Sequence, residues 1–195
     1  MSRSLTRRAA LATLVAMISS PAFADHLGET LDARMFEMES YFQAIDVAQA
    51  PSFELQDAEG KPVHLSDFSD KVVILHFIYA NCPDICPLHA EKIAAVQTAI
   101  NDGPMKDLVQ FISITTDPVN DTPDVLLEYA ERHGLDPRNW VMLTKRPDQG
   151  DDATRLLARD YGLEFTMTAD SDMMMHGAVA HVVDIGGRFA AKFHG

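Results

Sequence analysis

Val72-Val73-Ile74-Leu75-His76-Phe77-Ile78-Tyr79-Ala80-Asn81-Cys82-Pro83-Asp84-Ile85-Cys86-Pro87 runs from an almost wholly apolar octet into the only two cysteines of a 195-residue chain. An apolar run of that length reads as a strand covered on both faces, the position of a central parallel strand. Leu88 to Ile100 then carries the apolar spacing of a packed helix. A strand thus hands two thiols to the mouth of a helix, where the dipole and the unpaired N–H groups favour a thiolate. Thiolate is the form that attacks disulfides and binds soft metals.

The neighbouring segments repeat the alternation. Phe53-Glu54-Leu55 and Val63-His64-Leu65 flank Asp57-Ala58-Glu59-Gly60-Lys61-Pro62, a hairpin with turn residues at its tip. Leu108 to Thr115 predicts a second strand, ended by Asp117-Pro118. Thr122-Pro123 opens a helix to about His133, with proline at its first position. Trp140 to Leu143 predicts a strand and Asp151 to Tyr161 a helix. Ala178 to Ile185 and Arg188 to Phe193 form a closing hairpin about Gly186-Gly187. The order is hairpin, β, α, β, α, β, α, hairpin. This is an α/β, thioredoxin-like three-layer sandwich with an N-terminal and a closing β-hairpin, and the cysteines stand at the carboxyl end of its first central strand. Such folds usually add a final helix. After Phe193 only His194-Gly195 follow, so that helix is expected to be very short, absent or cut off.

Residues 1–24 read as a cleavable signal peptide. Arg3, Arg7 and Arg8 form the charged region, Ala9 to Ile18 the apolar region and Ala22-Phe23-Ala24 the cleavage site. Thr6-Arg7-Arg8-Ala9-Ala10-Leu11 loosely resembles a twin-arginine signal, but paired arginines are commonplace and Sec export is the simpler reading. An uncleaved leader would act as an anchor. Residues 25–49 read as an N-terminal arm or short helix, with Met35, Met38, Phe42 and Ile45 at helical spacing, and residues 50–195 as the folded domain. Three of the 16 basic residues fall in the leader, so 13 Lys and Arg face 29 Asp and Glu in the mature chain, a net charge of −16. That charge repels nucleic acid and anionic lipid and attracts cationic partners or metal ions. Membrane contact is expected only through a client or an uncleaved leader. An exported protein with two cysteines either forms a disulfide, stable or cycling, or holds a metal that keeps the thiols reduced.

Cys82 and Cys86 are four apart, one residue wider than the usual redox spacing, which leaves room for an ion shared by both sulfurs. Two thiolates under-coordinate most metals, and imidazole is the usual third donor for copper or zinc. Of eight histidines, His76 reads as a hydrogen-bonded core residue and His133 as a cation at a helix C-terminus. His64, His181 and His194 read as solvent-facing strand positions. His89 follows Cys86 by three residues on one helical face. His176 lies in a polar loop beside the strand that should neighbour the cysteines. Asp84 reads as a solvated loop carboxylate, and Asp121 or Thr122 as a helix cap.

Cys82-Pro83-Asp84-Ile85-Cys86-Pro87, with Thr116-Asp117-Pro118-Val119-Asn120-Asp121-Thr122-Pro123 and His176 before a strand and a glycine turn, resembles the Sco/SenC family. The resemblance covers about residues 50 to 193. It implies a periplasmic copper chaperone in which Cys82, Cys86 and His176 hold one copper ion, Cu(I) or Cu(II). The implied client is the dinuclear copper site of cytochrome c oxidase subunit II or another copper protein. The chain would load that site or reduce its cysteines beforehand, with a thioredoxin-like protein as a possible reductant. On this reading the chain is a metallochaperone more than an enzyme. The alternative is a thiol–disulfide oxidoreductase in which Cys82 attacks and Cys86 resolves. A peroxidase is disfavoured because Tyr79-Ala80-Asn81 lacks the usual threonine, and a purely structural disulfide because so short a loop stabilises little.

Three departures from the family pattern stand out. Met175 replaces the aspartate often found before the ligand histidine, Leu88-His89 replaces an acidic residue after the second Cys-Pro, and a final helix is not evident. Methionine is the other oddity. Met35 and Met38 form an M-x-x-M step and Met173, Met174 and Met175 abut His176. Either they are soft Cu(I) donors or they are core and loop packing.

Overall fold

A computed structural model describes residues 42–82, 85–163, 166–167, 174–175 and 178–194. Its frame is one eight-stranded sheet in the order β1-β10-β9-β4-β5-β6-β2-β3. The strands are β1 (Phe42–Val47), β2 (Glu54–Asp57), β3 (Pro62–His64), β4 (Val72–Ile78), β5 (Val109–Thr115), β6 (Trp140–Thr144), β9 (Val179–Asp184) and β10 (Arg188–His194). A separate ribbon pairs β7 (Thr166–Met167) with β8 (Met174–Met175). Among the described residues three α-helices join the strands: α1 (Ile85–Asn101), α2 (Pro123–Arg132) and α3 (Ala153–Asp160).

The apolar octet is the centre of this sheet. β4 pairs in parallel with β5 from Val72↔Val109 to Ile78↔Thr115, and antiparallel with β9. Parallel neighbours need a crossover, which α1 supplies between β4 and β5 and α2 between β5 and β6. Alternation along β4 divides the core. Val73, Leu75 and Phe77 join Ile112, Ile114, Leu157, Ala158 and Tyr161 on the α3 side, while Ile78 joins Ala90, Ile93, Phe111, Leu126 and Tyr129 on the α1/α2 side. All seven residues of β5 are buried. The three-layer sandwich and both hairpins are therefore as expected.

Phe42–Val47 departs from the arm or short helix. It is an edge strand on β10, with Phe42 opposite Phe193 and the two rings 5.1 Å apart. Phe42 and Ile45 are three apart, a spacing that fits one helical face but puts the two on opposite faces of a strand. The open edge of β10 decides between them: Phe42 meets Phe193, and Ile45 packs against the α3-side core. The leader and residues 25–41 lie outside the described residues. Among the described residues no helix is long and apolar enough to cross a membrane.

β9 lies inside the sheet between β10 and β4, and the solvent-facing reading of His181 is overturned. It is fully buried, ringed by Tyr161, Phe77 and Phe189 at 5.2–5.9 Å, with Nδ1 3.3 Å from the Leu75 carbonyl oxygen. Burial first, then the positive charge of Lys192, pushes its pKa down to about 3. His64 and His194 lie toward solvent as expected, half-buried and exposed respectively. His133 does end α2. It packs on Tyr129 at 4.4 Å, and burial lowers its pKa.

Candidate metal centre

The sheet register brings the site together. His76 sits level with Ser113 on β5 and Ala180 on β9, and Ala180 with Phe193 on β10. β9 runs against β4, so the chain entering β9 through Ala178 lies at the end where β4 delivers its cysteine turn. Cys82 is buried at that end, and its N–H donates to the Tyr79 carbonyl at 3.2 Å to close the turn. Cys86 lies in the first turn of α1, where the free N–H groups and the dipole favour a thiolate. Pro87 follows within that turn, where a missing N–H removes no helical hydrogen bond. His176 falls outside the described residues, as do Pro83 and Asp84. Among the described residues no three His, Cys, Asp or Glu side chains converge on one metal position.

What holds the turn is Asp121. Its carboxylate accepts the Ala80 N–H at 3.0 and 3.2 Å and the Thr115 hydroxyl at 2.5 Å. Thr115 Oγ1 in turn accepts the Asp117 N–H at 2.9 Å. Thr116 donates both its N–H, at 2.7 Å, and its hydroxyl, at 3.1 Å, to the Ile78 carbonyl. The turns after β4 and β5 are thereby tied across the top of the sheet. Asp121 is 1% exposed, and burial raises its pKa against the opposing pull of Thr115 and Ala80, with Asp117 adding repulsion. This corrects the cap reading for Asp121 alone. Thr122 takes the N-cap position of α2 without a side-chain capping bond, and Asp121 is turned inward beneath the cysteine turn. The clue in the sequence was a second acid four residues after Asp117, in a loop that must meet the cysteine turn.

Below the turn, His76 is the core residue expected, hydrogen-bonded through Nε2 to Ser113 Oγ. Trp140 Nε1–H donates to the same oxygen at 2.8 Å. His89 is buried with its ring edge-on to His76 at 5.2 Å. It also borders an apolar groove formed with Ile74, Ile93, Val96, Val182 and Phe193. The described contacts thus place His89 in the layer between α1 and the sheet.

Cys82 and Cys86 stand on one strand-to-helix turn, and cysteine is a residue type suited to soft metal ions. Comparison with known proteins adds the family. Residues 43–195 match the SCO1/SenC family model. A SCO2-like protein of Rickettsia prowazekii is 28% identical over 143 residues, covering 73% of this chain and 67% of that one. The structure of Bradyrhizobium japonicum ScoI with copper bound superposes with a TM-score of 0.61 at 30% identity, over 75% of this chain and 89% of that one. BsSco shares the fold, with a TM-score of 0.65 at 23% identity over 78% of this chain and 85% of that one. It is described as having a disulfide switch and as a member of the Sco family of cytochrome c oxidase assembly proteins. Cysteine turn, sheet order and sequence match converge, and the chain belongs to the SCO1/SenC family.

Proposed function

We propose that this chain is an exported copper metallochaperone that holds one copper ion on Cys82, Cys86 and His176. It passes the ion to the dinuclear copper site of cytochrome c oxidase subunit II. The observation that carries the reading is the meeting of three chain segments at one end of the sheet. These are the buried Cys82 turn, the first turn of α1 with Cys86, and the entry to β9 two residues after His176. Copper bound in the Bradyrhizobium relative supports the same cargo.

The Asp121 tie fixes the turn, so Cys82 does not have to be ordered at the moment of loading. Helix α1 stabilises the Cys86 thiolate, and the two thiol protons leave to solvent as the ion binds. An arriving client thiolate can enter the open edge, and each chaperone ligand then leaves as a client ligand replaces it. A cysteine pair at a helix mouth also favours a second reading, in which Cys82 and Cys86 reduce the client's cysteines before copper arrives. The chaperone reading is tested by mixing the copper-loaded mature chain with a copper-free, fully reduced subunit II domain. Growth of the dinuclear copper absorption with wild type, and its loss with Cys82→Ser or His176→Ala, is expected. Equal growth from free copper would overturn it.

A further inference from the structure

On the α1 face of the sheet, β9 and β10 carry apolar residues that are only partly covered. Along β9, Val179, His181 and Val183 are buried on the α3 face, whereas Ala180 and Val182 on the other face are half-buried. β10 continues that second face, because Phe193 pairs with Ala180 and Ala191 with Val182. The result is a groove of about 380 Å³, with β4, β9 and β10 as its floor and α1 as one wall. Val96 and Phe193 remain 47% and 41% exposed along it. Lys92 stands on the α1 wall, and among the described residues no carboxylate lines the groove.

The chain enters the sheet at the rim of this groove. Phe42 starts β1 opposite Phe193, with the two rings 5.1 Å apart, so the residues before β1 leave from the groove's edge. Their sequence matches the groove in pattern, length and charge. Leu27, Leu31, Met35 and Met38 follow helical steps of four, four and three, which gathers them on one face of a helix. Such a helix measures about 17 Å from Leu27 to Met38, against about 20 Å for a strand of the length of β10. Between Met38 and Phe42 the chain can span about 14 Å, enough to double back over the sheet. Asp25, Glu29, Asp32, Glu37 and Glu39 outnumber Arg34 in this stretch, a charge opposite to that of Lys92.

We infer that residues 27–38 form an amphipathic helix that docks in this groove, with Leu27, Leu31, Met35 and Met38 turned toward Val96, Val182 and Phe193. The segment is an intrachain cover. It flanks α1, the helix that carries Cys86, and closes its exposed apolar side to other apolar ligands. The short link to β1 holds it at high effective concentration, so that a modest contact suffices to seat it. The inference is independent of what the cysteines bind.

The test uses the mature chain, residues 25–195, with 13C-labelled methionine and valine methyls. Nuclear Overhauser contacts from Met35 and Met38 to Val96 and Val182 are expected, and they should persist on dilution. Leu31→Glu/Met35→Glu should remove the Met38 contacts. It should lower the docked-to-open ratio at least about tenfold, the scale of losing one fully buried large apolar side chain. That change is read as faster relaxation of the Val96 and Val182 methyls by a soluble paramagnetic agent. The signals of Val73 and Val183, both 1% exposed, should stay in place and report an intact core. Wild-type Met35 and Met38 methyls without groove contacts would overturn the inference. Contacts seen only between labelled and unlabelled copies would overturn it too, making the occupant a second chain. So would groove methyls that stay shielded in the double variant, because another occupant would then fill the groove.

Discussion

Asp121 and His181 are both buried ionisable side chains, and burial displaces both from their ordinary pKa, yet they do different work. Asp121 lies at the carboxyl ends of β4 and β5, accepts bonds from Ala80 and Thr115, and ties two turns together. His181 lies mid-strand on the α3 face, held near the Leu75 carbonyl and within an aromatic ring of Phe77, Tyr161 and Phe189. A buried charge-capable group does not by itself mark a site. Its place relative to the ends of the parallel strands does.

The sharpest way to break this contrast is to remove each group in turn. Asp121→Ala leaves the Ala80 N–H and the Thr115 hydroxyl without their acceptor, at a cost of about 2–4 kcal/mol in urea unfolding. It should also weaken Cu(I) retention about tenfold. His181→Leu should leave Cu(I) retention within about twofold of wild type. Equal effects on copper from the two changes would erase the distinction.

Acid gives the second test, because the two groups pull in opposite directions. The unfolded His181 takes a proton near pH 6.5, but the folded one does not until about pH 3. Stability is therefore full above 6.5 and falls by about 1.4 kcal/mol per pH unit between those values. Asp121 has a raised folded pKa, so the folded state binds its proton first and gains stability as pH falls through that value. Urea titrations at pH 7 and 4.5 should show wild type losing stability in acid and His181→Leu losing much less. An unchanged acid loss in that variant would mean that His181 does not carry the slope.

Smaller effects grade the two regions. Thr115→Val removes one bond to Asp121 and should cost about 1 kcal/mol, with a modest loss of Cu(I) retention. Arg132→Ala breaks the exposed pair with Glu128 on α2 and should change stability by no more than about 0.5 kcal/mol with copper unaffected. A copper effect there would mean that α2 steers the site by its surface rather than through Asp121.

Much of this was legible in the sequence for a physical reason. Val72 to Tyr79, Leu108 to Thr115 and the two glycine-tipped hairpins carry local signals, and the structure follows them. What failed depends on partners far along the chain. Phe42–Val47 became a strand because β10 offered an open edge, which local spacing cannot register. His181 is buried by Phe77, Tyr161 and Phe189, although its alternation with Val179 and Val183, both in the core, pointed to the inner face. Asp121 looked like a cap because its acceptors' partners lie 41 and six residues away. The site itself rested on Cys82 and Cys86, whose strand-to-helix placement is local. His176 rested on resemblance.

The most direct test of the central claim is Cu(I) competition against a colorimetric chelator, comparing the reduced mature chain with its His176→Ala variant. A three-ligand copper site predicts one ion per wild-type chain and at least about a hundredfold weaker retention in the variant, the upper end of what losing even an outer-shell partner of a metal costs. Retention by His176→Ala equal to wild type would contradict it and leave Cys82 and Cys86 as a dithiol redox pair.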